Sequence, residues 1–495
     1  MLERIYGLSP RARLAREVGR LTLLCSYPLQ RIELNPTAFA LVGALDGVTS
    51  LRALVEPVPP GRLEELADFL EGLVTQGCLS VCYTVTPPAQ VPSVEVVVPV
   101  MNNAPGASRC LAALAGQTYP RERWTVTLVD DGSAISLTGQ LNIPPSGLPA
   151  LRVLRLDSNQ GPASARNAAL CSPPHGPAAD LVAFTDSDCV PAPEWLWDLA
   201  GALEDAGLDA VGGRVLGLRQ DTWLARYEGE CASLNLGPRG GPVGGPEDRI
   251  AYLPTCNLAA RRSALRAVGG FRPGLRLGED VDLSWRLRER GYRLHYLPAG
   301  AVRHAYRDRI GPFLSRKAAY GATEGWLLRA HPGRLPAQAP RLPGVVLGLT
   351  ALGAALGATG TVAALISGTG LLTGEAAWHG WRNRTALRAG TPWEAVSASA
   401  RRMAASLLAQ CRAWARRHGA IGLALLPLAA TRPGLTLWLA AVAGAAGWAE
   451  WLARRPAVKP REFMLGYALD VLGYSFGRWR ARLGAGIPLR RETPV

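Results

Sequence analysis

Acidic residues are the scarce charge in this chain: 39 Asp and Glu stand against 54 Lys and Arg, for a formal net charge of +15. Charge of either sign is thin as well, at 19% of residues against 48% hydrophobic, which is apolar for a soluble protein. Periodic or low-complexity runs are lacking, so the scattered glycines and prolines exclude a collagen-like or linker-dominated chain. The nine cysteines are odd in number. Cys78 and Cys82, the closest pair, have no second Cys or His pair nearby to complete a zinc site, so reduced, buried thiols are expected. The opening "MLERIYGLSPRARLAREVGR" is basic but has no apolar signal-peptide core, which predicts a front end that stays inside the cell. The positive excess suits nucleic acid, anionic lipid or a phosphorylated substrate, and its location must decide among them.

At 495 residues the chain is too long for one core, and two or three domains are expected. Residues 18–85 read as a small domain. A strand, a turn at Pro28 and a second strand over Arg31 to Leu34 lead into a helix marked by Asn35 and Pro36. Leu63, Leu66, Phe69, Leu70 and Leu73 share one face of a second helix stopped by Gly77, and a strand from Leu79 to Tyr83 completes a winged-helix pattern. "TPPAQVPS" at 86–93 reads as a linker. From 93 to about 330, strand-like runs (Val94 to Val100, Thr125 to Val129, Leu151 to Leu156, Leu181 to Phe184) alternate with helical stretches at 107–115, 161–170 and 194–206, the signature of an α/β domain.

The remainder, 343–495, is different. No charged residue occurs from Pro343 to Gly374, and about 20 apolar residues suffice to cross a bilayer. A second apolar stretch, Ile421 to Trp451, is broken by "TRPG" at 431–434, where a central Arg432 would be costly in lipid. A turn there predicts either a shallow re-entrant hairpin or one span from Leu435 onward. Between the two stretches, residues 393–417 form a basic amphipathic helix. Met403, Leu407, Cys411 and Trp414 lie on one face and Arg401, Arg402, Arg412 and Arg416 on the other, as suits an anionic membrane surface. Much of the charge excess lies in this region, which turns the reading away from nucleic acid.

Chemistry concentrates at strand ends of the middle domain. The buried run Leu181 to Phe184 stops at Asp186 and Asp188, and another strand stops at Asp130 and Asp131. In open α/β sheets, ligands bind beyond the carboxyl ends of the strands. Two carboxylates one residue apart point the same way off an extended chain. Such a pair can hold a hard divalent cation, Mg2+ or Mn2+, cap the next helix, or face water.

Six pieces in order separate these options: "VEVVVPVMNN" (94–103), "LVDDGS" (128–133), "SNQGPASARNAAL" (158–170), "VAFTDSDCVP" (182–191), "TCNLAARRSALRAVGGF" (255–271) and "GEDVDLSWRLRERGY" (278–292). Together they resemble the family 2 glycosyltransferases, nucleotide-sugar enzymes of the GT-A fold. The resemblance implies that Val98, Pro99 and Val100 with Asp130 and Asp131 hold the nucleobase, and that Arg166 and Asn167 lie near the nucleotide. By the same resemblance, Asp186 contacts the ribose or a metal-bound water, and Asp188 coordinates a divalent metal on the diphosphate. A nucleoside diphosphate leaves poorly until its developing charge is neutralised. "GED" at 278–280 implies the general base of an inverting transfer, Asp280 supported by Glu279. Trp285 implies an acceptor-site wall, and His304 a third metal ligand. The glutamine-rich Trp motif of processive polysaccharide synthases is replaced by "SRKAAYG" at 315–321, which disfavours a long-chain synthase.

At the front, "LTLL" (21–24), "RIELNPTAFALVGALDG" (31–47) and "LEELADFLEGLVTQGCLSV" (63–81) resemble the PqqD-type domains that bind a leader peptide by strand addition. A DNA-binding winged helix fits less well, because the segment is not notably basic and its second helix is apolar. A PqqD-like module joined to a family 2 transferase and an apolar tail resembles the glycosyltransferases of the mycofactocin system. The expectation is an α/β chain in three parts: a winged-helix-like domain at 18–85, a GT-A domain at 93–330 and a membrane-associated helical region at 343–495. The transferase would face the cytoplasm at the cell membrane and use UDP-glucose and a peptide-derived acceptor or carrier peptide. A transferase building a lipid-linked or cell-surface glycan, or a peptide-binding scaffold with an inactive transferase domain, are the alternatives.

Overall fold

The computed structural model describes residues 5–8, 12–17, 20–26, 29–51, 54, 63–75, 78–82, 91–142, 148–172, 178–205, 207–237, 240–245, 248, 250–334, 350, 407–408, 410–417, 419, 433–454 and 456–483. Two compact units divide the chain, one built mainly from Ile32–Tyr306 and the other from Arg307–Ile487.

The front of the first unit holds strands β1 (Ile5–Leu8), β2 (Ala12–Glu17), β3 (Arg20–Ser26), β4 (Leu29–Glu33), β5 (Asp46–Ser50) and β6 (Leu79–Cys82), with helices α1 (Pro36–Ala44) and α2 (Leu63–Thr75). Helix α1 begins at Asn35, whose Oδ1 accepts the Ala38 N–H at 2.8 Å, while Pro36 occupies the first turn. Leu70 and Leu73 of α2 pack with Tyr6, Leu23 and Val42. Strand β1 lies between β5 and β6, antiparallel to both, and β2 pairs antiparallel with β3. These two N-terminal strands precede residue 18; "IYGL" and "ARLARE" are too short and too mixed in polarity to announce themselves. Gly77 and Tyr83 lie outside the described residues.

The middle of the unit is an eight-stranded mixed sheet. In chain order its strands are β7 (Val94–Val100), β8 (Trp124–Asp130), β9 (Leu151–Arg155), β10 (Leu181–Thr185), β12 (Ala210–Gly212), β14 (Gly241–Pro242), β15 (Asn257–Arg261) and β16 (Leu294–Tyr296). Their spatial order is β14-β16-β12-β15-β10-β7-β8-β9. The run β10-β7-β8-β9 is parallel, and β15 is antiparallel to both β10 and β12. Successive residues alternate between two cores. Val96, Val98 and Val100 pack on one face and Val97 on the other; Leu181 and Ala183 oppose Val182 and Phe184. Burial on both faces is why these strands read as continuous apolar runs. One charge interrupts them. Glu95 is buried and satisfied by Arg152 (3.1 Å), Arg262 and the Thr127 hydroxyl (2.6 Å). Strands β11 (Cys189–Pro191), β13 (Val215–Gly217) and β17 (Val302–His304) form a small separate sheet. Helices α3 (Ala104–Ala115), α4 (Pro162–Cys171), α5 (Trp195–Asp205), α6 (Trp223–Cys231), α7 (Arg262–Ala267) and α8 (Glu279–Glu289) complete the unit.

The second unit contains α9 (Ile310–Ala330), α10 (Pro433–Arg454) and α11 (Pro460–Arg482). Helices α9 and α11 approach closely through glycine: a Cβ on Gly321 would meet the Tyr474 carbonyl oxygen at 2.0 Å, and one on Gly477 the Ala318 carbonyl oxygen at 1.8 Å. Of the expected apolar stretch at 343–374, only Thr350 is described. The start of α10 at Pro433 matches the expected turn, but the expected span from Leu435 is corrected. No described helix is long and apolar enough to cross a membrane, and α10 carries Glu450 and Arg454 among small residues. The expected amphipathic helix at 393–417 is described only near its end, so Met403, Arg401 and Arg402 lie outside. There, Cys411 and Ala415 pack with Val442 and Ala446, Trp414 meets Trp438 edge-on, and Arg412 pairs with Glu450 at 3.0 Å.

Candidate active site

Parallel strands β7, β8 and β10 end side by side, with Val100 opposite Asp130, so the residues that follow them share one rim of the sheet. Val98 and Val100 are core residues, and Pro99 is half-buried between them. After β7 the chain turns at Asn102, held in the left-handed region at φ 51°. Its N–H donates to Ser133 Oγ at 2.9 Å and its Oδ1 accepts the Ala134 N–H at 2.9 Å. Asn103 donates from Nδ2 to Ser187 Oγ at 3.2 Å while its Oδ1 caps α3 at the Gly106 N–H. The two asparagines thereby tie the loops after β7, β8 and β10 together. Neither was singled out in the sequence, although two Asn directly after a buried strand are a turn-and-cap signal.

Asp130 and Asp131, the expected nucleobase pair, are both buried and both held by protein donors. Asp130 accepts the Ser133 N–H at 2.9 Å and pairs with Arg155 at 2.6 Å. Asp131 accepts the Gln160 and Gly161 N–H groups at 2.8 and 2.9 Å, fixing the loop that enters α4. Gly132 makes the turn possible: φ is 69°, and a Cβ would lie 2.5 Å from the Ser158 carbonyl carbon.

Arg166 on α4 is the centre of the arrangement. Its side chain is almost wholly buried. Nη2 donates to Asp186 Oδ1 at 2.6 Å and Nη1 to Glu279 Oε1 at 3.0 Å, joining carboxylates 93 residues apart in the chain. Burial alone would favour loss of its proton, but these two carboxylates hold it firmly cationic. The Phe271 ring lies 5.5 Å from the guanidinium carbon, and Nε has no hydrogen-bond partner. Asn167, expected beside the nucleotide, has its amide committed to Phe271: Nδ2 donates to the Phe271 carbonyl at 2.7 Å and Oδ1 accepts its N–H at 2.8 Å.

Asp188 and His304, 116 residues apart, meet because β11 pairs antiparallel with β17 in a register that sets Cys189 against His304. The Ala305 N–H then donates to the Asp188 carbonyl at 2.9 Å, and His304 Nε2 lies 3.5 Å from Asp188 Oδ1. Cys189 completes a cluster whose ligand atoms lie within 4.8 Å of one another. Burial, and the Cys256 thiol beside it, push the Cys189 thiol well above its ordinary range, so it is neutral as folded. A carboxylate and an imidazole, with His304 Nδ1 buried and without a hydrogen-bond partner among the described residues, fit a divalent cation as donors. Asp186, expected at the ribose, a metal-bound water or the metal itself, has Oδ1 hydrogen-bonded to Arg166.

Asp280 is half-buried in the first turn of α8, with Oδ1 accepting the Val281 N–H at 2.9 Å. Burial first, and the charge of Glu279 second, raise its carboxyl from 3.8 to about 7. The arrangement thus offers a carboxylate that can take a proton near neutrality, beside an anchored arginine and a carboxylate–imidazole pair. Trp285, one turn further along α8, is half-buried and donates its indole N–H to the Ala251 carbonyl at 2.9 Å.

The carboxylates gathered beyond the parallel strand ends lie where open α/β sheets bind their ligands. Residues 95–269 match the model of the family described as glycosyl transferase family 2. A pre-mycofactocin glycosyltransferase of Mycobacterium tuberculosis is 36% identical over 294 residues, 56% of this chain and 60% of its own. Glycosyltransferase AglE of Haloferax volcanii is 28% identical over 217 residues, 41% of this chain and 64% of its own. An N-acetylglucosaminyltransferase of Mesorhizobium japonicum is 29% identical over 249 residues, 46% of this chain and 54% of its own. The chain spans between half and two thirds of the length of these curated relatives.

Proposed function

We propose that this chain is an inverting, divalent-metal-dependent glycosyltransferase that moves glucose from UDP-glucose onto a peptide-derived acceptor, in the biosynthesis of mycofactocin. The identity to the pre-mycofactocin enzyme supports the acceptor class. The Asp188–His304 pair, together with Asp186 and Glu279 joined through Arg166 and with Asp280 next to Glu279, carries the chemistry. Asp188 and His304 would hold a divalent metal, which would supply charge neutralisation for the departing diphosphate. Asp280 takes the proton from the acceptor hydroxyl as its oxygen attacks the anomeric carbon from the face opposite the leaving nucleotide. Glu279, anchored by Arg166, lies beside Asp280, and its charge makes Asp280 a stronger base. Arg166 fixes the spacing between donor and base. Asp130, Asp131 and the end of β7 form the nucleobase wall, and Trp285 borders the acceptor. The front module binds the acceptor peptide as a PqqD-like domain, and the basic C-terminal unit lies at the cytoplasmic face of the cell membrane.

The test compares turnover of UDP-glucose, UDP-N-acetylglucosamine and GDP-mannose with Mn2+ and with EDTA, for the wild type and for Asp188→Ala. Turnover of UDP-glucose should require the metal, and the variant should lose about 100-fold or more together with Mn2+ binding. Wild-type turnover and metal affinity in Asp188→Ala would overturn the assignment.

A further inference from the structure

Helix α11 is apolar on two sides. One side, with Phe463, Gly473, Tyr474 and Gly477, is buried. The other carries Leu465, Leu469, Leu472 and Phe476 at successive spacings of four, three and four, a helical stripe that continues to Arg480 and Leu483. Phe476 is 56% exposed, Leu465 51% and Leu483 80%. A second apolar stripe outside the core needs a cover. Beside it, Leu314, Ala318 and Ala322 of α9 form the opposite wall of an open groove of about 620 Å³, with Leu469, Leu472 and Phe476 facing them and Arg480 at one end. From Leu469 to Arg480 the groove follows roughly 16 Å of helix.

Two observations select the occupant. Among the described lining residues the only polar side chains are Ser315 and Arg480, so an extended peptide laid there would leave its backbone N–H and C=O groups unpaired, whereas a hydrocarbon chain has none to satisfy. Residues 307–487 carry 23 Lys and Arg against 7 Asp and Glu, while the rest of the chain is almost balanced, so the groove sits in the unit that holds the positive excess. Trp448 and Leu452 of α10, both about half exposed, add apolar surface in the same unit.

We propose that the groove between α9 and α11 docks the C-terminal unit on an anionic phospholipid bilayer, with an acyl chain along the Leu314–Phe476 walls and a lipid phosphate at Arg480. This rests on the membrane-surface reading given above and names its contact. Docking of this kind needs no helix to cross the membrane.

Co-sedimentation of the full chain with vesicles tests it, using phosphatidylglycerol mixed with phosphatidylcholine against phosphatidylcholine alone. Wild type should prefer the anionic vesicles, and the preference should fall with salt. Phe476→Asp should lower the partition about tenfold or more, and Arg480→Gln about fivefold with most of the preference for anionic vesicles lost. Phe476 is mostly exposed, so little packing is removed; Phe476→Ser reads the same contact if the aspartate variant does not fold. Wild-type partition in the Phe476 variants overturns the groove and leaves the membrane reading standing. Failure of wild type to bind either vesicle overturns both, while nucleotide-sugar turnover, measured separately, still judges the transferase. If Phe476→Asp instead converts a dimer to a monomer with vesicle binding unchanged, the groove is a contact between copies and the lipid is excluded.

Discussion

Replacing Asp280 by Asn should make the protein more stable and inactive at once. The folded chain lifts this carboxyl from 3.8 to about 7, first by burial and then by the charge of Glu279. A displacement of about three in pKa corresponds to about 4 kcal/mol between the two protonation states, an upper bound for what ionised Asp280 costs the fold at pH 8. The sign follows from proton counting. Between about pH 4 and pH 7 the folded chain holds a proton on Asp280 that the unfolded chain has released, so stability falls as pH rises through that window and is flat beyond it. Asparagine is nearly isosteric, carries no charge and keeps an oxygen for the Val281 N–H. It gives up the attraction between an anion and the helix N-terminus, about 0.3–1 kcal/mol. The expected gain is about 2–3 kcal/mol at pH 8 and close to nothing at pH 4, read from urea unfolding at both pH values. Transfer should drop by about 10²–10⁴, since the amide cannot accept the acceptor's proton. A variant no more stable than wild type at pH 8, or one within tenfold of wild-type turnover, refutes the reasoning.

Two further perturbations follow from the same geometry. Glu279→Gln removes the negative charge beside Asp280, so the acidic limb of the pH–rate profile should move below that of the wild type; a limb that stays put would separate Glu279 from the tuning of the base. Gly132→Ala places a Cβ against the Ser158 backbone at φ 69°, and urea unfolding should show a loss of more than about 1 kcal/mol; no loss would mean that the loop after β8 relaxes freely.

The sheet was legible because Val94–Val100 and Leu181–Thr185 are buried on both faces, which leaves unbroken apolar runs that end abruptly at polar residues. The helices between the strands were found within a few residues, as at Ala104–Ala115 for the expected 107–115 and Pro162–Cys171 for the expected 161–170. Long-range pairings were not legible. Nothing local in "SARNAA" tells that Arg166 reaches Glu279, 113 residues onward, or that the same guanidinium also bonds Asp186. Strands β11 and β17 are three residues each, too short for any periodicity, yet their register alone brings His304 to Asp188. Nothing local accounts for Glu95 in a valine strand, because its partners Arg152 and Arg262 come from distant elements.

The single guanidinium of Arg166, shared by Asp186 and Glu279, has a consequence for anyone redesigning donor choice. Its charge is divided between Asp186 and the neighbour of Asp280, so in the transferase proposed above the donor side and the base have no separate settings. A substitution at Asp186 that admits a different sugar frees part of that charge for Glu279, and through Glu279 it shifts the proton affinity of Asp280. Donor selectivity and working pH are then one adjustable quantity, and variants sorted for a new sugar will arrive with a displaced pH optimum.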